Sequence, residues 1–177
     1  ASKRGSPELR PGLIRRVAAI GLVAAAFLAY RWWGSDERRV QRAFDGLLES
    51  VEKTGPETQL DRFASARDFA KRFANGFVVS AKPYEGTITD RQQLVAIIDT
   101  YRSAADRVTA RGLDRELTLR DNGTADLCAL VELDGSSAGG LGRERFRVRL
   151  SWLREEGEWR VLEAEILERL ETSGIFD

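Results

Sequence analysis

The hydrophobic rhythm of this 177-residue chain changes once, near Gly112. Before that point apolar residues recur every three to four positions, the spacing of one helix face. After it they alternate, the spacing of one sheet face. Neither layer can bury its apolar side alone, so helices must pack on a sheet, and an α+β domain follows.

Three helices are predicted. The first reads DERRVQRAFDGLLESVEK, with Val40, Phe44, Leu47, Leu48 and Val51 on one face and Gly55-Pro56 as its stop. The second runs from about Glu57 to Ala74, with a stripe of Leu60, Phe63, Ala66, Ala70 and Phe73 and Gly76 as terminator. The third opens on Thr89-Asp90-Arg91-Gln92, a capping box with Thr89 as N-cap. It carries Leu94, Ile97, Ile98, Tyr101, Ala105 and Val108, and Gly112 ends it. A short strand, 77–80, and a turn, 83–86, separate the last two helices.

Past Gly112 the strands follow one another. Leu113–Leu119 and 125–133 flank Asp121-Asn122-Gly123, a hairpin turn in which Asn-Gly takes positive φ at low cost. A Gly- and Ser-rich link, 134–142, leads to strand 144–154, and Glu155-Glu156-Gly157-Glu158 turns the chain into strand 159–168. This is an antiparallel meander. Arg145, Arg147 and Arg149 share a face that invites reading as an anion stripe. Glu163 and Glu165 on the neighbouring strand favour a charge ladder, each pair contributing a few tenths to about 1 kcal/mol.

A second feature sets the surroundings of the domain. Residues Val17–Tyr30 carry no charge, follow Arg15-Arg16 and precede Arg31-Trp32-Trp33. Fourteen helical residues rise about 21 Å against a hydrocarbon core of roughly 30 Å. Leu13, Ile14 and the Trp pair extend the apolar length, while Arg15, Arg16 and Arg31 sit at the membrane interface. The division expected is a basic cytoplasmic tail, 1–16, a transmembrane anchor, 17–33, and a domain, 34–177. A cleaved signal peptide with Ala24-Ala25-Ala26 at its cleavage site is the competing reading, weakened by the apolar residues that continue past it. No Cys follows the stretch, so a lipoprotein is excluded. Five Lys/Arg precede the span and four lie just after it, a slim bias that places the N-terminus inside. In a bacterium this would be a single-pass inner-membrane protein with its domain in the periplasm or outside.

Composition removes several chemistries. The chain has no His and one Cys, so a Ser-His-Asp triad, a Cys-His pair and a His metal cage are impossible, and neither metal nor cofactor is expected. Its 28 basic and 28 acidic residues are unevenly placed. Residues 1–16 hold five Lys/Arg and one Glu, so the remainder holds 23 basic and 27 acidic, a net of −4. Such a body is a poor match to nucleic acid. The single Cys128 reads as an inert small residue.

The element order and the late W-x-x-E-x-G-E-W-R-V pattern at Trp152–Val161 resemble the nuclear transport factor 2-like (SnoaL-like) superfamily over about 36–168. The resemblance implies a cone in which a curved antiparallel sheet wraps three helices and leaves an apolar pocket at its wide end. It also implies homodimerisation through the outer face of the sheet. Enzymes of the superfamily place a carboxylate or a His-Asp pair in that pocket. Here every His-dependent version is impossible, and the stretch Phe77–Lys82, where isomerases of the ketosteroid type carry their base, has no acid. Tyr84, Tyr101, Trp152 and Trp159 are the candidates to line a pocket, with core packing as their bland role.

The expected function is a membrane-anchored, non-catalytic module that binds a protein partner or a small apolar ligand outside the cytoplasm. Its plan is similar to that of inner-membrane scaffolds of type IV secretion systems, an analogy without a shared motif. The alternative is a small-molecule isomerase or lyase with a buried carboxylate in the cone.

Overall fold

The computed structural model describes Gly21 and residues 35–81, 86–120, 122–137 and 142–172. The expected anchor and its interface residues Arg15, Arg16, Arg31, Trp32 and Trp33 lie outside them, as does Tyr84. Among the described residues no helix is long and apolar enough to cross a membrane. The chain divides into units 1–38 and 39–177, and the second contains the whole sheet.

From residue 35 on, the described residues form three helices and six strands in the order α1 (Asp36–Val51), α2 (Gln59–Lys71), β1 (Phe73–Ala81), β2 (Thr87–Ile88), α3 (Arg91–Ala104), β3 (Arg107–Arg120), β4 (Thr124–Ser136), β5 (Arg143–Glu155) and β6 (Glu158–Thr172). The sheet order is β2-β1-β6-β5-β4-β3. The expected meander is present from β3 to β6, each strand antiparallel to the next. The sheet as a whole is mixed, not antiparallel as expected, because β1 lies parallel to β6. The connection from β1 runs through β2, α3 and three further strands before β6 returns beside it, and so long a crossover permits either direction.

Three boundaries differ from the sequence reading. The second helix stops at Lys71, and Phe73 and Gly76 belong to β1. Phe69, Phe73 and Phe77 stack in succession at 5.3 and 5.1 Å between ring centroids. A four-residue aromatic spacing that reads as helical therefore continues across a helix-to-strand junction. The third helix ends at Ala104, and the period-2 pattern begins at Arg107 instead of Gly112. Val108 is fully buried and exchanges main-chain hydrogen bonds with Lys53, 2.9 Å each way. Asp90, not Thr89, is the N-cap of α3, its side chain accepting from the Gln92 amide at 3.0 Å.

The core lies between the three helices and one face of the sheet. Val40, Phe44, Leu47 and Leu48 of α1 meet Leu127, Ala129, Leu150, Trp152 and Val161. On α2 the buried residues are Ala66, Phe69 and Ala70, while Leu60 and Phe63 of the predicted stripe are exposed at 76% and 48%. The helix turns its Phe69 side inward because the aromatic stack with Phe73 and Phe77 lies there.

Gly112, expected to end a helix, lies within β3 and sets how closely α1 approaches the sheet. A Cβ there would stand 2.4 Å from Cε1 of Phe44 and 3.1 Å from Cδ1 of Leu48. Gly112→Ala forces the Phe44 ring out of its place and is expected to cost about 1–3 kcal/mol, the range for overpacking a filled core. Urea unfolding followed by circular dichroism measures it; an unchanged midpoint would mean that α1 is not seated on β3 as described.

Candidate functional site

The core-facing side of the sheet is set by strand parity. On β4, Ala125, Leu127, Ala129 and Val131 are buried, and their partners on β5 are Trp152, Leu150, Val148 and Phe146. On β1, Phe77 is buried and Val79 packs against the same core, so the stretch that carries the base in isomerases of the ketosteroid type is hydrocarbon. Trp152 is fully buried in the middle of this face, with Ala125 on one side and Val161 on the other. The middle of the space between helices and sheet is thus occupied by side chains.

Near one end of β5 a polar group shares the inward parity. Extending its inward parity from Leu150 through Val148 and Phe146 reaches Glu144, which stands opposite Leu133. Glu144 Oε1 accepts from Arg169 Nη2 at 2.7 Å, the two side chains being 13% and 28% exposed. Arg169 Nε is buried without an acceptor. Tyr101, half-buried on α3, completes the group. Its phenol is pushed above the ordinary 10.0, first by burial and second by the negative charge of Glu144. A raised value means that the folded state favours the neutral phenol. That stabilisation is present below the ordinary value and fades as pH climbs through the raised one.

Chemically, this cluster offers a phenol O–H donor, a guanidinium and a carboxylate already engaged by that guanidinium. It suits holding a polar group at the cone's mouth better than abstracting a proton, since a base needs a free lone pair directed at substrate. Glu144→Gln is expected to bring the Tyr101 titration part of the way back toward 10 while burial keeps it raised. Ultraviolet difference titration with Tyr101→Phe as control reads this, and an unmoved titration would separate the two groups.

The other sequence candidates are dispersed. Trp152 and Trp159 belong to the same buried core cluster, and Trp159, 8% exposed at the start of β6, also borders a cleft beside α1 and α2. Tyr101, on α3, is not part of that cluster, so the structure brings together the two Trp residues and not the phenol. Asp126 and Cys128 point to the outer face: Asp126 accepts from Ser151 Oγ at 2.9 Å and pairs with Arg120, and Cys128 stands opposite Arg149. The arginine row is a ladder there, Arg145 to Glu132 at 2.8 Å and Arg149 to Glu165 at 3.3 Å. Glu163 pairs in register with Ser151 instead. Glu144 was missed in the sequence although the β5 alternation already placed it on the inward face.

No family model and no curated protein matches the chain. Solved structures do. A scytalone dehydratase-like protein from Novosphingobium aromaticivorans superposes with a TM-score of 0.63 at 11% identity, over 78% of this chain and 86% of its own. A nuclear transport factor 2-like protein with a cystatin-like fold, from the same organism, gives 0.60 at 14% identity over 92% and 93%. A protein from Xanthomonas campestris similar to the association domain of calcium/calmodulin dependent protein kinase II gives 0.59 at 12% identity over 75% and 89%. Identities this low speak of fold alone: three helices on a six-stranded mixed sheet, in the cystatin-like arrangement of nuclear transport factor 2-like proteins.

Proposed function

We propose that this protein is a non-catalytic binding module, tethered to a bilayer by residues 17–33, whose domain engages a protein partner outside the cytoplasm. The observation that carries the non-catalytic part is the filled cone. Phe44, Leu127, Trp152 and Val161, each no more than 1% exposed, fill the middle of the space between helices and sheet. One structural neighbour resembles an association domain, so the fold also serves assembly. The tether rests on the uncharged stretch between Arg15-Arg16 and Arg31-Trp32-Trp33, and the orientation on the cation count at its ends.

Two measurements test this reading. Titrating the full chain in detergent with a fluorescent apolar probe should give no saturable one-site signal beyond that of the micelle alone. Saturable uptake, competed by a steroid-sized ligand, would mean an open cone and overturn the non-catalytic reading. Membranes of a bacterial host expressing the full chain should retain it through alkaline carbonate washing, with the domain open to protease from the periplasmic side. Release of the intact domain without detergent would remove the tether.

A second reading keeps an isomerase or lyase alive through Tyr101, Glu144 and Arg169. It requires Glu144 to leave Arg169 when substrate enters, and it predicts that Glu144→Gln abolishes turnover without lowering stability.

A further inference from the structure

A cationic cleft of about 600 Å³ lies outside the cone, between α1, the end of α2 and the β5–β6 turn. Five cationic side chains line it, Arg39, Arg42, Lys71, Arg72 and Arg160, against the carboxylates of Asp68 and Glu158, a net of +3. Lys71 is engaged by Asp68 at 2.7 Å, Arg160 by Glu155, Glu158 and Glu156 at 3.1, 3.3 and 3.6 Å, and Arg39 and Arg42 also have partners. Arg72 differs. Among the described residues its guanidinium makes no hydrogen bond or ion pair, and its Nε is buried without an acceptor. Trp159, 8% exposed, likewise holds a buried indole Nε1–H with no acceptor, and so does Arg160 at Nε.

Three residues that line this cleft each hold a buried N–H without an acceptor, and an oxyanion entering beside them is one group that could satisfy such donors. The fold also makes room for the central cation. A Cβ on Gly46 of α1 would stand 2.6 Å from Arg72 Nη1, so only a residue without a side chain lets that guanidinium lie against the helix. The C-terminal end of α2 opposes an anion, but with only about half an elementary charge against the net +3.

We propose that this cleft binds a phosphate group, with Arg72 and the Trp159 indole N–H donating to its oxygens. Phosphate fits better than carboxylate, because its tetrahedral set of oxygens can accept from separate side chains at once, whereas a carboxylate offers two oxygens that a single guanidinium already occupies. Two sources share this chemistry: free phosphate or a small phosphomonoester, and the phosphodiester of a lipid headgroup. The proposal does not depend on whether the cone interior is open.

The test titrates the full chain in detergent, at low ionic strength, with inorganic phosphate and separately with glycerophosphoglycerol. Calorimetry gives the affinity, and the Trp159 indole N–H resonance, assigned with Trp159→Phe, reports the site. Saturable binding with movement of that resonance is expected, weakened by added salt. Arg72→Ala and Gly46→Ala should each weaken it more than tenfold. Saturation by inorganic phosphate points to the free or monoester source, and saturation by glycerophosphoglycerol alone to the headgroup; either supports the site. Binding of neither, or unchanged affinity in folded Arg72→Ala and Gly46→Ala, overturns it. Should both variants unfold, the wild-type resonance decides: movement on titration supports the site, and an unmoved signal refutes it.

Discussion

Arg102→Ala should lower the unfolding free energy by about 3–5 kcal/mol, the cost of breaking a buried ion pair from one side. Arg102 is 3% exposed on α3, yet its work is done at the end of α1. Nη1 donates to the carbonyls of Ser50, Val51 and Glu52 at 3.1, 3.1 and 2.8 Å, acceptors that the helix leaves without amide partners at its C-terminus. The other edge of the guanidinium pairs with both oxygens of Glu57, which is itself largely buried. Removing it strands three carbonyls and a carboxylate together. The arrangement is reciprocal. Lys53, 6% exposed just past α1, donates to the carbonyls of Arg102 and Ala105 at the end of α3. Each helix thus caps the other with a cation, the sign that the C-terminal dipole favours. Arg102→Lys should recover little, since an ammonium cannot serve the three carbonyls and both Glu57 oxygens at once. Chemical unfolding of the full chain in detergent checks both variants, and a loss below about 1 kcal/mol in Arg102→Ala would show that water replaces the guanidinium.

How much of this was legible beforehand depended on whether the signal was local. The β4–β5 pairing could be read because strict alternation from Ala125 and from Phe146 leaves one register that buries both apolar sets. The stop of α2 at Lys71 could not, since Phe69, Phe73 and Phe77 keep a helical spacing while the backbone changes state beneath them. The position of β1 beside β6 was also hidden, because it depends on closing a long crossover and leaves no mark within either strand. The candidate sites divide the same way. Glu144 followed from parity alone. Arg72 did not: what singles it out is the lack of an acceptor for a half-buried guanidinium beside Gly46, and three-dimensional neighbours decide that. Arg102 reads as an ordinary solvated charge near a helix end until α1 is placed against it.

Trp152→Ala should cost about 3–5 kcal/mol and at the same time turn the filled cone into an open one. Trp152 is fully buried, and its neighbours across the sheet, Ala125 and Val161, are smaller side chains that cannot swing into the space it would leave. Its indole N–H has no acceptor, so part of what the ring gains by burial is offset by an orphaned donor, about 1–3 kcal/mol. Trp152→Phe removes that donor together with some packing, and should therefore cost far less than the alanine change. The cavity in Trp152→Ala would be apolar and shaped like the ring that left it. Added indole should raise the melting temperature of that variant in proportion to its occupancy and leave the wild type where it was. Thermal unfolding with and without indole separates the outcomes. A wild-type protein that is itself stabilised by indole already has room in its cone, and the case for a domain that binds without catalysing would then pass to Tyr101, Glu144 and Arg169 at its mouth.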